Sequence, residues 1–208
     1  MIFQSLVVGP LQVNCFILGC EKTKEAIVID PGGDVDDILS FLARAKLNLK
    51  YILNTHGHLD HVGGNADLKE NTDAEIIIHP GDANDITNIS SHGLLFGLRV
   101  KDSPPADILI NDGDVINVGE EIKLITLHTP GHSRGSCSFI LEGYDVVFVG
   151  DTLFAGSIGR TDLPGGDYNT LINSVRTKLF ILPDDTKVLP GHGPQTTIGY
   201  EKRYNPFF

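Results

Sequence analysis

Residues 56–61 read His-Gly-His-Leu-Asp-His, which places four metal-capable side chains within six positions. The segment follows an apolar run, Tyr51-Ile52-Leu53, that reads as a buried strand, and it precedes Val62-Gly63-Gly64, where a helix could begin. His56 and His58 are two residues apart, so in an extended stretch they project to the same side and can grip one ion. Asp60 and His61 lie past that pair, where the chain must turn, and can serve a second ion nearby. Imidazole and carboxylate without thiolate suit Zn, Fe, Mn or Co at catalytic sites that keep positions open for water. The chain holds 8 histidines in 208 residues, so three of them within six positions is a pattern rather than the scatter of a polar loop.

Such a motif needs strands behind it. Apolar runs at Ile2 to Val8, Val13 to Leu18 and Ala26 to Ile29 read as strands, the last stopped by Asp30-Pro31-Gly32-Gly33. Asp34 is placed to cap a helix that carries Val35, Ile38, Leu39, Leu42 and Leu49 near a 3.6-residue period. Lys50 to Asn54 delivers the metal motif, and Glu75 to Ile78 is a further short strand before His79-Pro80-Gly81. Residues 82–106 read as a surface excursion with one short helix and an apolar patch at Leu94-Leu95-Phe96, bordering the pocket. Strands resume from Ile108, at Ile116 to Val118, Ile122 to Leu127, Cys137 to Leu141 and Val146 to Val149. Tyr168 to Phe180 fits an amphipathic helix, with Leu171, Ile172, Val175, Leu179 and Phe180 on one face. Lys187 to Leu189 is a last short strand.

Several of these runs end in a metal-capable residue: His56 after Asn54, His132 after Leu127, Asp151 after Val149, His192 after Leu189. Strands of one sheet system that end on the same edge bring such residues together. His132 and His192 each follow a Pro-Gly turn, and Asp151 directly follows a buried strand. His79, His92 and His128 show no partner pattern, and His128 reads as a packed strand-end residue.

Composition narrows the classes. The length suits one domain with a sizeable core, and no apolar stretch approaches a membrane span. The net charge of −11, from 16 basic and 27 acidic residues, argues against nucleic acid and anionic membrane surfaces as partners. The N-terminus lacks the basic and apolar regions of a signal peptide. Cys15, Cys20 and Cys137 form an odd set without Cys-x-x-Cys spacing, and each sits in an apolar setting. Buried free thiols and a reducing cytoplasm are expected.

His56-x-His58-x-Asp60-His61, followed by His132, Asp151 and His192, resembles the metallo-β-lactamase superfamily signature in order and context. Gly150 to Arg160 and Asn205-Pro206-Phe207 are similar to the glyoxalase II-like branch, in particular its short bacterial hydroxyacylglutathione hydrolase-like members. The resemblance covers essentially the whole chain. It implies an α/β fold, a four-layer αββα sandwich with the metals at one edge of two sheets. It also implies two divalent ions, Zn2+ first, with Fe or Mn as other occupants. His56, His58 and His132 would bind one ion, Asp60, His61 and His192 the other, and Asp151 would bridge them.

The implied reaction is hydrolysis of a small thioester, S-acylglutathione such as S-lactoylglutathione. Two ions about 3.5–4 Å apart share a water and lower its pKa to roughly 7, so a metal-bridged hydroxide is the nucleophile. A thiolate leaving group, with a thiol pKa near 8.5, departs with little general-acid help. Asp60 could also accept a proton after attack. Asp30 is a candidate acceptor for the free N–H of a ligand imidazole. Arg160 falls where glyoxalase II-like enzymes carry a basic residue that holds a glutathione carboxylate, and Lys202 and Arg203 could add charge at the pocket mouth.

Two features depart from the full-length glyoxalase II pattern. The chain continues only 16 residues past His192, so residues 1–208 read as a single domain without that enzyme's C-terminal helical domain. The Gly159-Arg160-Thr161-Asp162 core also resembles persulfide dioxygenases, which use one iron on the equivalents of His56, His132 and Asp151. An oxidation of glutathione persulfide is therefore the alternative activity, and a non-catalytic metal-binding protein the third reading. β-Lactam hydrolysis and nuclease action fit less well, and the oligomeric state is not legible.

Overall fold

Period-two alternation builds the core. In strand β2 (Val13–Gly19), Val13, Cys15 and Ile17 join one buried cluster while Phe16 and Leu18 join another. Strand β3 (Glu25–Ile29) divides Ala26 and Val28 from Ile27 and Ile29, and β5 (Glu75–Ile78) divides Ile76 and Ile78 from Ile77. Strands that are apolar on both faces must be covered on both sides, which sets a layered architecture.

The computed structural model describes residues 1–95 and 97–208. Phe96 and the side chains of His92 and Leu95 lie outside the described residues, and with them the expectations for His92 and for the Leu94-Leu95-Phe96 patch. Two six-stranded sheets form the centre. The first has the order β1 (Ile2–Val8), β2, β3, β4 (Asn48–Leu53), β5, β6 (Ile108–Leu109), antiparallel through β3 and parallel beyond it. In the second, the sequence-order strands are β7 (Val115–Val118), β8 (Ile122–His128), β9 (Cys137–Leu141), β10 (Val146–Gly150), β13 (Lys187–Pro190) and β14 (Thr196–Thr197), and they lie side by side in that order. A small hairpin of β11 (Leu153–Phe154) and β12 (Ser157–Ile158) stands between β10 and β13 in the chain.

Phe139, Phe148, Leu124 and Leu189 of the second sheet meet Phe16, Ile27, Ile29 and Leu53 of the first in the inter-sheet core. Helix α1 (Val35–Ala45) and α3 (Asn65–Thr72) cover the outer face of the first sheet through Ile38, Leu42 and Leu68. Leu171 of α5 (Tyr168–Ser174), with Val175 and Leu179 of the π-helical turn that follows it, covers Val147, Val149 and Val188 of the second. The result is the expected αββα sandwich. The other helices are the single turn α2 (Leu59–Val62), α4 (Ile89–Leu95), preceded by a 3₁₀ turn at Asp85–Asn88, and α6 (Ile198–Tyr204).

Strand direction decides where side chains gather. β3, β4 and β5 are parallel to one another. β8 and β10 are both antiparallel to β9, and β13 is parallel to β10, so these three also run one way. In the first sheet β1 and β6 run the same way as these three, and the ends of β3, β4 and β5 lead on one edge to Asp30, His56 and His79; in the second, β8, β10 and β13 lead to His132, Asp151 and His192.

Two local expectations are corrected. Leu49 belongs to β4 and not to the helix, which stops at Ala45 because Lys46 turns left-handed (φ 54°) and bonds back to Ala43 and Leu42. Asp34 precedes that helix but caps nothing: its own backbone is left-handed (φ 47°), and its carboxylate accepts from the Gly9 N–H at 2.8 Å.

Candidate metal centre

Past Leu53, Asn54 and Thr55 carry the chain out of the sheet and onto His56. Asn54 and Asn65 bond to one another through both amides, at 2.8 and 3.3 Å, which closes residues 54–65 into a compact loop. Within it Asp60 and His61 sit on the helical turn α2, begun by the His61 N–H bonding to the His58 carbonyl at 3.0 Å. The helix thus starts inside the motif and not after it, and this turn sets the His61 ring against that of His56, with centroids 4.0 Å apart.

The seven expected ligands come together as overlapping groups. His56, His58 and His132 form one, Asp60, His61 and His192 form another, and His56, His61 and Asp151 form a third that overlaps both. His56 Nε2 lies 3.1 Å from His58 Nδ1 and 3.2 Å from His132 Nε2. In the second group His192 Nε2 is 3.1 Å and His61 Nε2 is 3.7 Å from Asp60 Oδ2. Asp151 faces both, with Oδ1 3.4 Å from His61 Nε2 and Oδ2 3.6 Å from His132 Nε2 and 3.7 Å from His192 Nε2.

These separations match what a metal requires. Ligand atoms about 2.0–2.2 Å from a tetrahedral ion lie roughly 3.3–3.6 Å from each other. His61 Nε2 and Asp151 Oδ1 are buried with no hydrogen-bond partner, a costly arrangement unless a cation takes both. At Gly191 a Cβ would come within 2.3 Å of Asp151 Oδ1 and 2.6 Å of His61 Cε1, so only glycine lets the His192 loop close over the cradle. The donor set of imidazole and carboxylate fits Zn2+, Fe or Mn.

Outer hydrogen bonds fix which nitrogen is free. His61 Nδ1–H donates to Asp30 Oδ2 at 2.9 Å, and His132 Nδ1–H donates to the Arg160 carbonyl at 2.8 Å. Thr55 donates its hydroxyl to Asp30 Oδ2 at 2.7 Å, so it accepts from His56 Nδ1–H at 3.0 Å. Each of these bonds engages Nδ1 and turns Nε2 toward the cradle as the ligand atom, the arrangement of metal-bound histidine. Asp30, which is 1% exposed, stands behind two of the three.

Electrostatics divide the site in the same way. Burial, reinforced by neighbouring imidazoles, holds His56 well below the ordinary histidine range and His58 down to about 4. Burial also lowers His132. These three are neutral near pH 7 and ready to ligate. Burial opposes protonation of His61 as well, but Asp151, Asp30 and Asp60 together raise it well above the usual value. Burial opposes charge on Asp60 and Asp151, yet His61 and its neighbours hold both carboxyls below the normal range. Filling the second group therefore displaces a proton from His61.

The candidate substrate residues stand apart. Arg160 contacts the cradle through its carbonyl, while its guanidinium makes a bidentate pair with Asp162, at 2.8 Å for each bond. Lys202 and Arg203 both pair with Asp184, at 2.7 and 3.2 Å. Among the described residues none of the three side chains bonds to a cradle residue.

Sequence reasoning missed Thr55, Asn14 and Asp82. Asn14 donates its amide to the carbonyls of Pro190 and Gly193, at 3.0 and 2.9 Å, and its backbone N–H to Gly191 at 2.7 Å, which pins the His192 loop. Asp82 sits just past the end of β5, as Asp30 does past β3, so the same strand-then-carboxylate pattern marked it in the sequence. His79 and His128, read as partnerless, stack on one another with centroids 4.0 Å apart.

The profile of the metallo-β-lactamase superfamily matches residues 8–192. A Haemophilus influenzae protein named hydroxyacylglutathione hydrolase GloC is 42% identical over 213 residues, covering 100% of this chain and 98% of that one. Among solved structures, BLEG-1 B3 metallo-β-lactamase superposes with a TM-score of 0.92 at 37% identity over 99% of both chains. TTHA1623, solved in a di-iron-bound form, superposes with a TM-score of 0.90 at 36% identity over 99% of this chain and 100% of that one. With the signature residues gathered at one edge of an αββα sandwich, the chain belongs to the metallo-β-lactamase superfamily.

Proposed function

We propose that this protein is a binuclear metallohydrolase that cleaves a small thioester, S-acylglutathione being the favoured class. The observation that carries the reading is the pair of ligand groups with Asp151 facing a histidine of each, His132 and His61. The name of the 42% identical Haemophilus influenzae relative supports the thioester class, and the di-iron form of TTHA1623 supports two ions. Bound at this cradle, two divalent ions, Zn2+ first and Fe or Mn as other occupants, would supply an acidified water and a Lewis acid for the substrate carbonyl.

The chain's own residues do the rest. His56, His58 and His132 hold one position and Asp60, His61 and His192 the other, with Asp151 between. Asp60 and His192 are partly open, with side chains 18% and 28% exposed, and substrate would approach from their side. A groove of about 370 Å3 reaches Asp60 between the β1–β2 turn and residues 98–101, with Leu11, Leu59, Leu98 and Val100 as apolar walls. Asp60 is the carboxylate best placed to accept a proton after attack. No cysteine competes as nucleophile: all three are buried and free, and burial pushes the Cys15 and Cys137 thiols up. Arg160, Lys202 and Arg203 are the cations we assign to glutathione carboxylates, which would have to draw Arg160 from Asp162 and the other two from Asp184. Free thiols suit a cytoplasmic setting, and no helix among the described residues is long and apolar enough to cross a membrane.

Metal analysis with parallel assays tests this reading. Two ions per chain with thiol release from S-lactoylglutathione is the expected result. One iron with oxygen uptake on glutathione persulfide, or β-lactam cleavage without thioester cleavage, would overturn it.

A further inference from the structure

Asp82 is 1% exposed, carries a carboxylate, and pairs with no basic side chain among the described residues. Three donors converge on it instead. Its Oδ2 accepts from the Gly57 N–H at 3.0 Å and from the Ser133 hydroxyl at 2.6 Å, and its Oδ1 accepts from the Gly135 N–H at 2.6 Å. The Ser133 hydroxyl lies 2.6 Å from that of Ser136. Because Ser133 gives its proton to Asp82, Ser136 donates in that pair. The fit is tight: a Cβ at Gly135 would fall 2.7 Å from the Asp82 carboxyl carbon.

The addresses of these donors matter more than their number. Gly57 lies between His56 and His58, and Ser133 follows His132. Asp82 thus bonds to both loops that carry the His56–His58–His132 group, one leaving each sheet. Its one bond into the 54–65 loop is at Gly57, between His56 and His58, and none of its side-chain bonds reaches the α2 turn that carries Asp60 and His61 or the loop that carries His192. Those are held elsewhere: Asp30 takes His61, and Asn14 pins residues 190–193.

We propose that Asp82 is the positioning residue of the first metal position alone, presetting the distance between the His56–His58 loop and the His132 loop before an ion arrives. Two loops from different sheets otherwise have to be brought together at the expense of binding free energy, and a preformed cradle removes that cost. A buried carboxylate suits the task, since its bonds to N–H and O–H donors are short and charge-assisted. The inference rests on the binuclear reading for its contrast between sites.

The test is Zn2+ titration under chelator competition, with anomalous scattering from Zn2+-soaked crystals to show which position loses occupancy. Asp82→Ala is expected to lower affinity at the His56–His58–His132 position by about 10–100-fold while the second position stays within a factor of about three. Asp82→Asn should recover part of the loss, because its carbonyl still accepts one bond. Asn14→Ala should show the mirror result, weakening the second position and sparing the first. Ser133→Ala removes one donor without stranding a buried charge, so it covers the case in which Asp82→Ala does not fold, and a smaller loss at the first position is expected. Equal losses at both positions in Asp82→Ala or Ser133→Ala, or no loss at either, would overturn the proposal. Wild-type protein binding a single ion would sink the two-ion reading instead, and Asp82 is then tested on that ion alone.

Discussion

Replacing Asp30 with Asn changes one atom and should disarm His61. In the native site Asp30 Oδ2 accepts from His61 Nδ1–H at 2.9 Å and from the Thr55 hydroxyl at 2.7 Å, while Oδ1 accepts from the Thr55 N–H at 2.8 Å. An asparagine has two ways to sit there. With its carbonyl toward the Thr55 N–H, its amide faces His61 Nδ1, which must then accept, so the remaining imidazole proton sits on Nε2 and blocks the ligand atom. With the amide reversed, His61 keeps its tautomer, but the amide meets the Thr55 N–H donor to donor in a buried site. That mismatch costs about 1–3 kcal/mol. The metal-free protein relaxes into the first arrangement and the metal-bound protein is forced into the second. The difference appears as a loss of roughly 10–100-fold in affinity for the second ion, in the range typical of partners behind metal-bound histidine. Chelator-competition titration with Zn2+ reads it directly. A variant that holds the second ion as tightly as wild type would refute the tautomer argument.

Metal-free protein should lose stability as pH falls from about 6.5 toward 4. His58 sits at about 4 when folded against 6.5 in the open chain, so below 6.5 the unfolded state takes protons that the folded state refuses. Its contribution reaches about 3 kcal/mol, and His56 and His132 push the same way. His61, raised when folded, is protonated in both states below 6.5 and adds no slope there, while Asp60 and Asp151 lose their contribution only below about pH 4. Urea denaturation at pH 7.5, 5.5 and 4.5 checks this, and a flat profile contradicts it. Arg160→Ala should leave metal content unchanged, since only the carbonyl meets His132, yet raise KM for S-lactoylglutathione about tenfold by removing a charged hydrogen bond. An unchanged KM removes Arg160 from substrate binding.

Much of the sandwich was readable because its strands are apolar on both faces and end in turn residues, a signal carried by local chemistry. The seven ligands were readable for a related reason, since each lies within a few residues of such a strand end. What failed was short or tertiary. α2 spans four residues, too few to show a period, so Asp60 and His61 read as loop. Leu49 falls seven residues after Leu42 and mimicked a helical position, although Lys46 had already ended the helix. The β11–β12 hairpin has two residues per strand and no pattern to find. The roles of Thr55, Asn14 and Asp82 depend on loops distant in sequence, as with the bonds from Asp82 to residues 51 and 53 positions away.

The ligands are divided between the two sheets: His56, His58, Asp60 and His61 follow strands of the first, and His132, Asp151 and His192 follow strands of the second. An ion bound in either group would therefore also be a rivet across the open edge of the sandwich, where the apolar filling gives way to polar loops. At a free concentration a hundred times its dissociation constant, an ion adds about 2.7 kcal/mol to the folded state. That stabilisation acts where the sheets would otherwise part first. Stripping the metal should therefore leave hydrogen exchange slow around Phe139 and Phe148 while amides at the strand ends, Thr55 and Cys137 among them, open more often. The same ions that would drive chemistry would thus set the local unfolding energy of the edge that carries the candidate site.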